Sequence, residues 1–382
     1  MYAYKFFLSL FFVSAVLVPF FTDWGRISFF QVMILQSWFI LWEAVLKVPT
    51  GAIGDYIGRK STLVIAALLA VIGVLVYTSM PNFYVFMLGE FILALALAMM
   101  SGTDESMLYD SLVVSKREKS SKKVLGRFGT IEMIGLVIAA PIGSSIAATL
   151  GLRWTMILAA IPFSIAFLIG FTLKEPVIRK TKEGVKYLET LAKGVKHFYS
   201  HKILRILAFD SVTIAILTFF IVWLFQPRLQ QLDVPIGYFG IVVAIMTSLE
   251  ALVMSNFGWQ EKLVGSKKRY LLLSALTAGV GFILLGLTSN ALFSVILIIL
   301  IGGLGIPRYV LFSNYMNKYI KSSNRATVLS TVGMFRSLGM AIAYPLVGLL
   351  TEWSFSYTFI IIGVLCVAIT LLSRVKEEHP ID

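Results

Sequence analysis

The stretch STLVIAALLAVIGVLVY, residues 61–77, offers no polar face at any period. A chain that places such runs in lipid must satisfy every backbone N–H and C=O internally, so it can cross only as helices or as a closed barrel. Barrel strands alternate apolar and polar residues over about ten positions. This run does not alternate, so it is read as a helix.

Windows of about 20 apolar residues, the length that spans the hydrocarbon core, recur near 5–22, 28–53, 61–79, 84–108, 126–149, 153–173, 203–226, 236–257, 270–288, 291–317, 326–350 and 355–373. With 58% hydrophobic and 14% charged residues in 382, the chain lies outside the range of soluble domains. The expected fold is an all-α integral membrane protein of twelve transmembrane helices. Its first run is read as a retained span rather than a signal peptide, because no small-residue cleavage site follows it.

A net charge of +13 would point to nucleic acid if it formed one patch. Here Lys and Arg instead crowd alternate loops, leaving Arg26, Arg153 and Arg228 on the other side. The positive-inside rule then places both termini in the cytoplasm of a multi-pass plasma-membrane protein, with lipids and no nucleic acid as partners. A single cysteine, Cys366, excludes an internal disulfide, and His197, His201 and His379 all fall in polar segments. No metal site and no cofactor are expected.

The long polar stretch KEPVIRKTKEGVKYLETLAKGVKHFYSHK, residues 174–202, divides the spans six and six. This gives a bundle over 1–173, a linker over 174–202 and a second bundle over 203–382. Within the linker Val185, Leu188, Ala192, Val195 and Phe198 recur at helical spacing, the pattern of a basic amphipathic helix on the inner leaflet. The halves also resemble each other. EAVLKVPTGAIGDYIGRK (43–60) aligns with EALVMSNFGWQEKLVGSK (250–267), and VLGRFGTIEMIGLVIAAP (124–141) with VLSTVGMFRSLGMAIAYP (328–345). Both matches carry nearly the same half-chain offset. Six-helix bundles related by a pseudo-two-fold axis along the membrane normal are one repeat architecture of secondary transporters.

GAIGDYIGRKSTL, residues 51–63, resembles the loop signature Gly-x-x-x-Asp-x-x-Gly-Arg-Lys that joins the second and third spans in the major facilitator superfamily. AAPIGSS resembles a weakened antiporter motif, with Ser144 and Ser145 in place of paired glycines. Glu90 stands where drug exporters of the family carry Arg, which argues against a generic drug-exporter label. SGTDESMLYDS and NRATVLS are similar to recurrent segments of a prokaryotic branch. The resemblance implies an inner gating latch built from Gly51, Asp55, Gly58, Arg59 and Lys60. In it Asp55 meets the start of the eleventh span, and Arg59 meets a carboxylate at the end of the fourth, Asp104 or Asp110. The alternative is that Asp55 and Arg59 only fix the shape of the loop. Gly51 is expected to let a neighbouring helix approach closely, and Gly58 to take positive φ.

Ionisable groups at membrane depth point to function by default. Glu43 lies about 18 Å above Asp55 at 1.5 Å per residue, and Glu250 holds the equivalent place in the second half. Burial favours the neutral form of a carboxyl, so both are proton-coupling candidates, as is Asp210. Lys47, one turn below Glu43, offers the competing reading of a fixed ion pair. Asp210 and Arg308 face the same depth and either pair with each other or leave Arg308 for an anionic substrate. Glu132 and Arg336, at equivalent repeat positions with opposite charge, are read as interdomain contacts. Glu90, about 9 Å inside the outer end of its span, meets either a cation or the headgroups. Trp42 is a further substrate-cavity candidate, with packing as its competing role.

These features describe a secondary active transporter for a small organic solute, working by alternating access as a monomer, coupled to protons and with efflux favoured. No phosphate-binding Gly-x-x-x-x-Gly-Lys-Ser/Thr loop is present in the sequence, which argues against ATP-driven pumping. No catalytic constellation argues for an enzyme. A lipid or amphiphile flippase fits the same features. A transporter-like membrane sensor is the reading from another class, and the tail after residue 373 is expected to be too short for its signalling domain.

Overall fold

In the computed structural model the described residues are 1–176, 195–196, 198–320 and 325–380, with the side chains of Asp55 and Ala326 set aside. They fold into helices α1 (Tyr2–Ser9), α2 (Phe29–Ile57), α3 (Arg59–Ser79), α4 (Phe83–Met100), α5 (Thr103–Val114), α6 (Ser121–Thr149), α7 (Leu152–Thr172), α8 (Lys202–Phe219), α9 (Ile221–Gln231), α10 (Phe239–Ser255), α11 (Phe257–Val264), α12 (Lys267–Leu287), α13 (Ala291–Leu300), α14 (Arg308–Lys318), α15 (Arg325–Trp353) and α16 (Phe355–Leu371). Several join end to end, so that ten helical stretches are long and apolar enough to cross a membrane. The shorter α16 and a broken first segment complete the twelve. Of the expected linker helix, Val185, Leu188 and Ala192 lie outside the described residues.

The first segment corrects the expectation of one helix over 5–22. Helix α1 stops at Ser9, a helical turn resumes only at Leu17–Pro19, and a π-turn follows at Phe20–Trp24. Proline explains part of the break, because Pro19 has no N–H to give the carbonyl of Ala15 and its ring crowds that position. In the second half the Gly-rich run Ile301–Gly305 is likewise π-helical between α13 and α14.

Polar residues set the other ends. Ser28 and Gln31 form a reciprocal capping box at the start of α2, satisfying two otherwise orphan donors. Asn82, Ser266, Asn290 and Ser354 accept from backbone N–H groups at the starts of α4, α12, α13 and α16. Between α2 and α3 the chain turns on Gly58 at φ +93°, a conformation that a Cβ would strain.

The described chain divides into two compact units, Met1–Thr181 with Pro235–Ala244, and Lys182–Val234 with Ile245–Asp382. In the first, α3 packs on α4 and α7, α2 on α4, and α1 on α6 and α7. In the second, α12 packs on α16, and α8 on α14, α15 and α16. The duplication read from the sequence appears as matched lengths: α3 and α12 each have 21 residues, α6 and α15 each have 29. Both members of the longer pair carry an internal proline, Pro141 and Pro345.

After α16 the chain lies as a strap against α8 and the end of α14 in the second unit. Ser373 donates to Asp210, Val375 is buried, and Tyr319 donates to the carbonyl oxygens of His379 at 2.8 Å and Glu378 at 3.3 Å. The Lys376 N–H donates to Nδ1 of His379 at 3.1 Å, and the His201 ring lies against Tyr319. Burial pushes the His379 imidazole below its ordinary 6.5; the Lys376 charge adds to this and Glu378 opposes it. A lowered value means the neutral ring is the one that fits. The strap is therefore held fully above pH 6.5 and loosens as pH falls through the lowered value. Amide hydrogen exchange at Lys376, corrected for intrinsic rate, is expected to lose protection between pH 7.5 and 5.5, and His379→Gln should flatten that dependence.

Candidate functional site

The Arg59 and Lys60 amides at the start of α3 both donate to Glu175, at 2.8 and 2.6 Å, and the Lys60 ammonium donates to the Phe171 carbonyl at 2.6 Å. A carboxylate at a helix N-terminus is favoured by the exposed amides and the helix dipole. The Arg59 guanidinium pairs with Asp110. Of the two carboxylates considered for Arg59 it is thus Asp110 that takes it, while Asp104 turns to another partner. Gly51 corrects its expectation, because a Cβ there would meet nothing within 4 Å. The residue faces open space, and no neighbour needs its missing side chain. The Asp55 side chain lies outside the described residues.

Asp104 belongs to a three-residue charge cluster of the first unit that sequence reasoning missed. Lys5 in α1 reaches Asp104 at 3.1 Å and Glu132 in α6 at 3.0 Å, and its ammonium lies over the Phe128 ring. Glu132 is read from the sequence as an interdomain residue; here it has this partner inside its own unit. The group opens on a cavity of about 480 Å³ whose wall also carries Glu43, Glu105, Ser9 and Ser101. Glu43 and Lys47 form the i, i+4 ion pair at 2.7 Å. The hint at Lys5 was its place at the head of an apolar run, where it counted only as a topology signal.

Glu90 is held by polar partners of its own unit. It points into the first unit, 4% exposed, and accepts from the Gln36 amide at 2.8 Å and from the Tyr77 hydroxyl. Those two donors, on α2 and α3, draw the carboxyl into the interior of the unit. A second cavity of about 330 Å³ lies beside this trio. Trp42 is half-buried and stacks edge to face on Trp38 and Phe91.

In the second unit Asp210 in α8 and Arg308 in α14 form a buried ion pair, each 4% exposed. The Arg308 Nε donates to the Leu271 carbonyl of α12 at 3.2 Å, and its guanidinium lies 4.4 Å over the Phe312 ring. Arg336 packs over the rings of Tyr309 and Phe219. Glu250, on α10, is half-buried and has no ion-pair or hydrogen-bond partner among the described residues. Glu377 repeats the part played by Glu175, accepting from the Lys267 amide and the Ser266 hydroxyl at the start of α12. Sequence reading passed over both glutamates, although they stand after the last span of each half at nearly the spacing of the repeat. Among the described residues no cluster of His, Cys, Asp or Glu could hold a metal ion.

Comparison with known structures places this arrangement. The chain is similar to the nucleoside transporter NupG, at 14% identity and a TM-score of 0.80 over 98% of both chains. It is similar to a D-xylose-proton symporter, at 14% identity and a TM-score of 0.71 over 98% of this chain and 97% of the other. A bacterial homologue of the human lysosomal transporter Spinster aligns at 14% identity and a TM-score of 0.75, over 97% and 94%. At such identities the likeness shows the fold. No curated protein sequence matches the chain. The family model of the Major Facilitator Superfamily, however, matches residues 6–259 and 211–381. Twelve apolar segments, a signature loop closed by Arg59 and Asp110, and a family match along nearly the whole length lead to one conclusion: the chain belongs to the major facilitator superfamily of membrane transporters.

Proposed function

We propose that the protein is a secondary active transporter that moves a small organic solute by rocking two bundles, 1–173 and 203–382, around a central site. It is driven by protons and exports its solute. Both termini are assigned to the cytoplasmic side of the plasma membrane by the bias of Lys and Arg. The observation that carries the reading is the pocket of about 480 Å³ walled by Lys5, Glu43, Asp104 and Glu132. Ionisable groups in a mostly apolar bundle are costly and by default mark a substrate or ion path, and here one lysine is shared between two carboxylates.

Among the proton-coupling candidates the geometry favours Glu250. Glu43 and Asp210 have cationic partners at hand, whereas Glu250 has none among the described residues. The Arg59–Asp110 pair serves as an inner latch, with Asp55 acting in the same motif and the linker over 174–202 tying the halves.

The test uses proteoliposomes with an imposed proton gradient and a panel of nucleosides, sugars, amino acids and amines. Glu250→Gln is expected to abolish gradient-driven accumulation while leaving solute exchange measurable, and Glu43→Gln to reduce it by less. Full gradient-driven flux in both variants would overturn the coupling assignment. Undiminished flux after cross-linking the cytoplasmic ends of the two halves would overturn rocking itself.

A further inference from the structure

The cavity beside Glu90 has a composition unlike that of the charged pocket nearer α1 and α5. Its walls are Phe11, Phe39, Leu93, Leu97, Met156 and Phe163 with smaller apolar neighbours, and the polar residues on it are Gln36, Tyr77 and Glu90. All three are nearly buried, at 6%, 2% and 4% exposed. Gln36 and Tyr77 each give a hydrogen bond to the Glu90 carboxylate. Both donors are neutral, so they orient the carboxyl and bring no counter-charge to it. Among the described residues Glu90 takes part in none of the ion pairs. Lys5 is already held by Asp104 and Glu132, and Arg153 is turned away, with its Nε on the Thr78 carbonyl and its guanidinium over Trp24.

A buried carboxyl held only by neutral donors beside an empty apolar space is costly to ionise alone, and a cation bound against it supplies the missing counter-charge. We infer that this cavity is a binding site for a small organic monocation, an alkyl or arylalkyl ammonium, whose charged end meets Glu90 and whose apolar body fills the space between Phe39, Leu93 and Phe163. The volume, about 330 Å³, is at the small end of the range of small-molecule sites, about 300–1,000 Å³, so one aromatic ring with a short chain fits the scale. A dication is disfavoured, because the walls offer its second charge no acceptor. An anion would face the Glu90 carboxylate directly. One wall includes Phe11, in the break between α1 and the turn at Leu17. The residues that line the site all belong to the first unit.

The probe is radiolabelled 2-phenylethylammonium, bound at equilibrium to the full chain in nanodiscs of zwitterionic lipid at pH 7.5. Saturable binding is expected, with unlabelled 2-phenylethanol and 3-phenylpropionate competing at least tenfold more weakly than the amine. Glu90→Gln should lower affinity for the amine at least tenfold and leave competition by the alcohol unchanged, a split that mere loss of structure would not give. Filling the space with Ala96→Leu should weaken amine and alcohol alike. Where Ala96→Leu fails to fold, Glu90→Gln decides, since it keeps the shape of the side chain and removes its capacity to carry a negative charge. Unsaturable uptake by the wild-type chain, equal competition by the carboxylate, or amine affinity unchanged in Glu90→Gln would each overturn the proposal. None of these outcomes touches gradient-driven flux, so they are separable from failure of the transport reading.

Discussion

Asp210→Leu is expected to destabilise the second bundle by about 3–5 kcal/mol, because it leaves the Arg308 guanidinium buried without its counter-charge. The pair joins more than two side chains. Arg308 also ties α14 to α12 through the Leu271 carbonyl, and Asp210 accepts from Ser373 in the strap after α16. Removing the carboxylate therefore loosens α8, α14 and the tail together. The double variant Asp210→Leu/Arg308→Met replaces both charges by apolar groups, an exchange that is often neutral or stabilising for a buried pair. Thermal unfolding in detergent should show the single variant well below wild type and the double variant recovering most of the loss. Equal damage in both would mean that the pair matters through shape and not through charge. This measurement also bears on function: a pair whose role is structural tolerates the double exchange with transport intact.

Gly143→Ala should be nearly as costly, at least about 3 kcal/mol, which is the upper range for overfilling a packed site. A Cβ at Gly143 would collide with the carbonyl group of Phe12, in the break of the first segment, and that contact is backbone on backbone. A flexible side chain could move aside; a carbonyl held between two helical pieces cannot. Gly126→Ala in the same helix is the control, since a Cβ there meets nothing within 4 Å. It should be neutral or stabilising by up to about 1 kcal/mol through helix propensity. Opposite signs for two Gly→Ala changes in α6 would show that the close approach of the first segment, and not helix propensity, sets the requirement. Thermal unfolding and the yield of monodisperse protein read both.

The contrast between these glycines also marks what the sequence could reveal. Spans, their number and the duplication were legible because lipid imposes a period and a length on the chain, visible in runs such as residues 61–77. The break in the first segment is marked in the sequence only by Pro19: Phe12, Val13 and Val16 are as apolar as any helical residue, and it is the fit of Phe12 against Gly143 that sets them apart. Charged residues behaved alike. Lys47 could be paired with Glu43 because helical spacing is local, whereas Lys5 with Asp104 and Glu132 joins three helices that are distant in sequence. Glu90 stands out in the sequence as an ionisable residue at membrane depth, but its direction is not readable there, since the count of rise per residue fixes depth and leaves the azimuth to partners such as Gln36 and Tyr77. Gly51, singled out by its motif, faces open space.

Glu175 and Glu377 each close the last stretch of a half onto the start of its own third span. During synthesis this means that the first half acquires its clasp as soon as residue 175 leaves the translocation machinery, before any apolar segment of the second half exists. Each half can then be proofread alone, its six segments fastened before the next six compete for the same greasy surfaces.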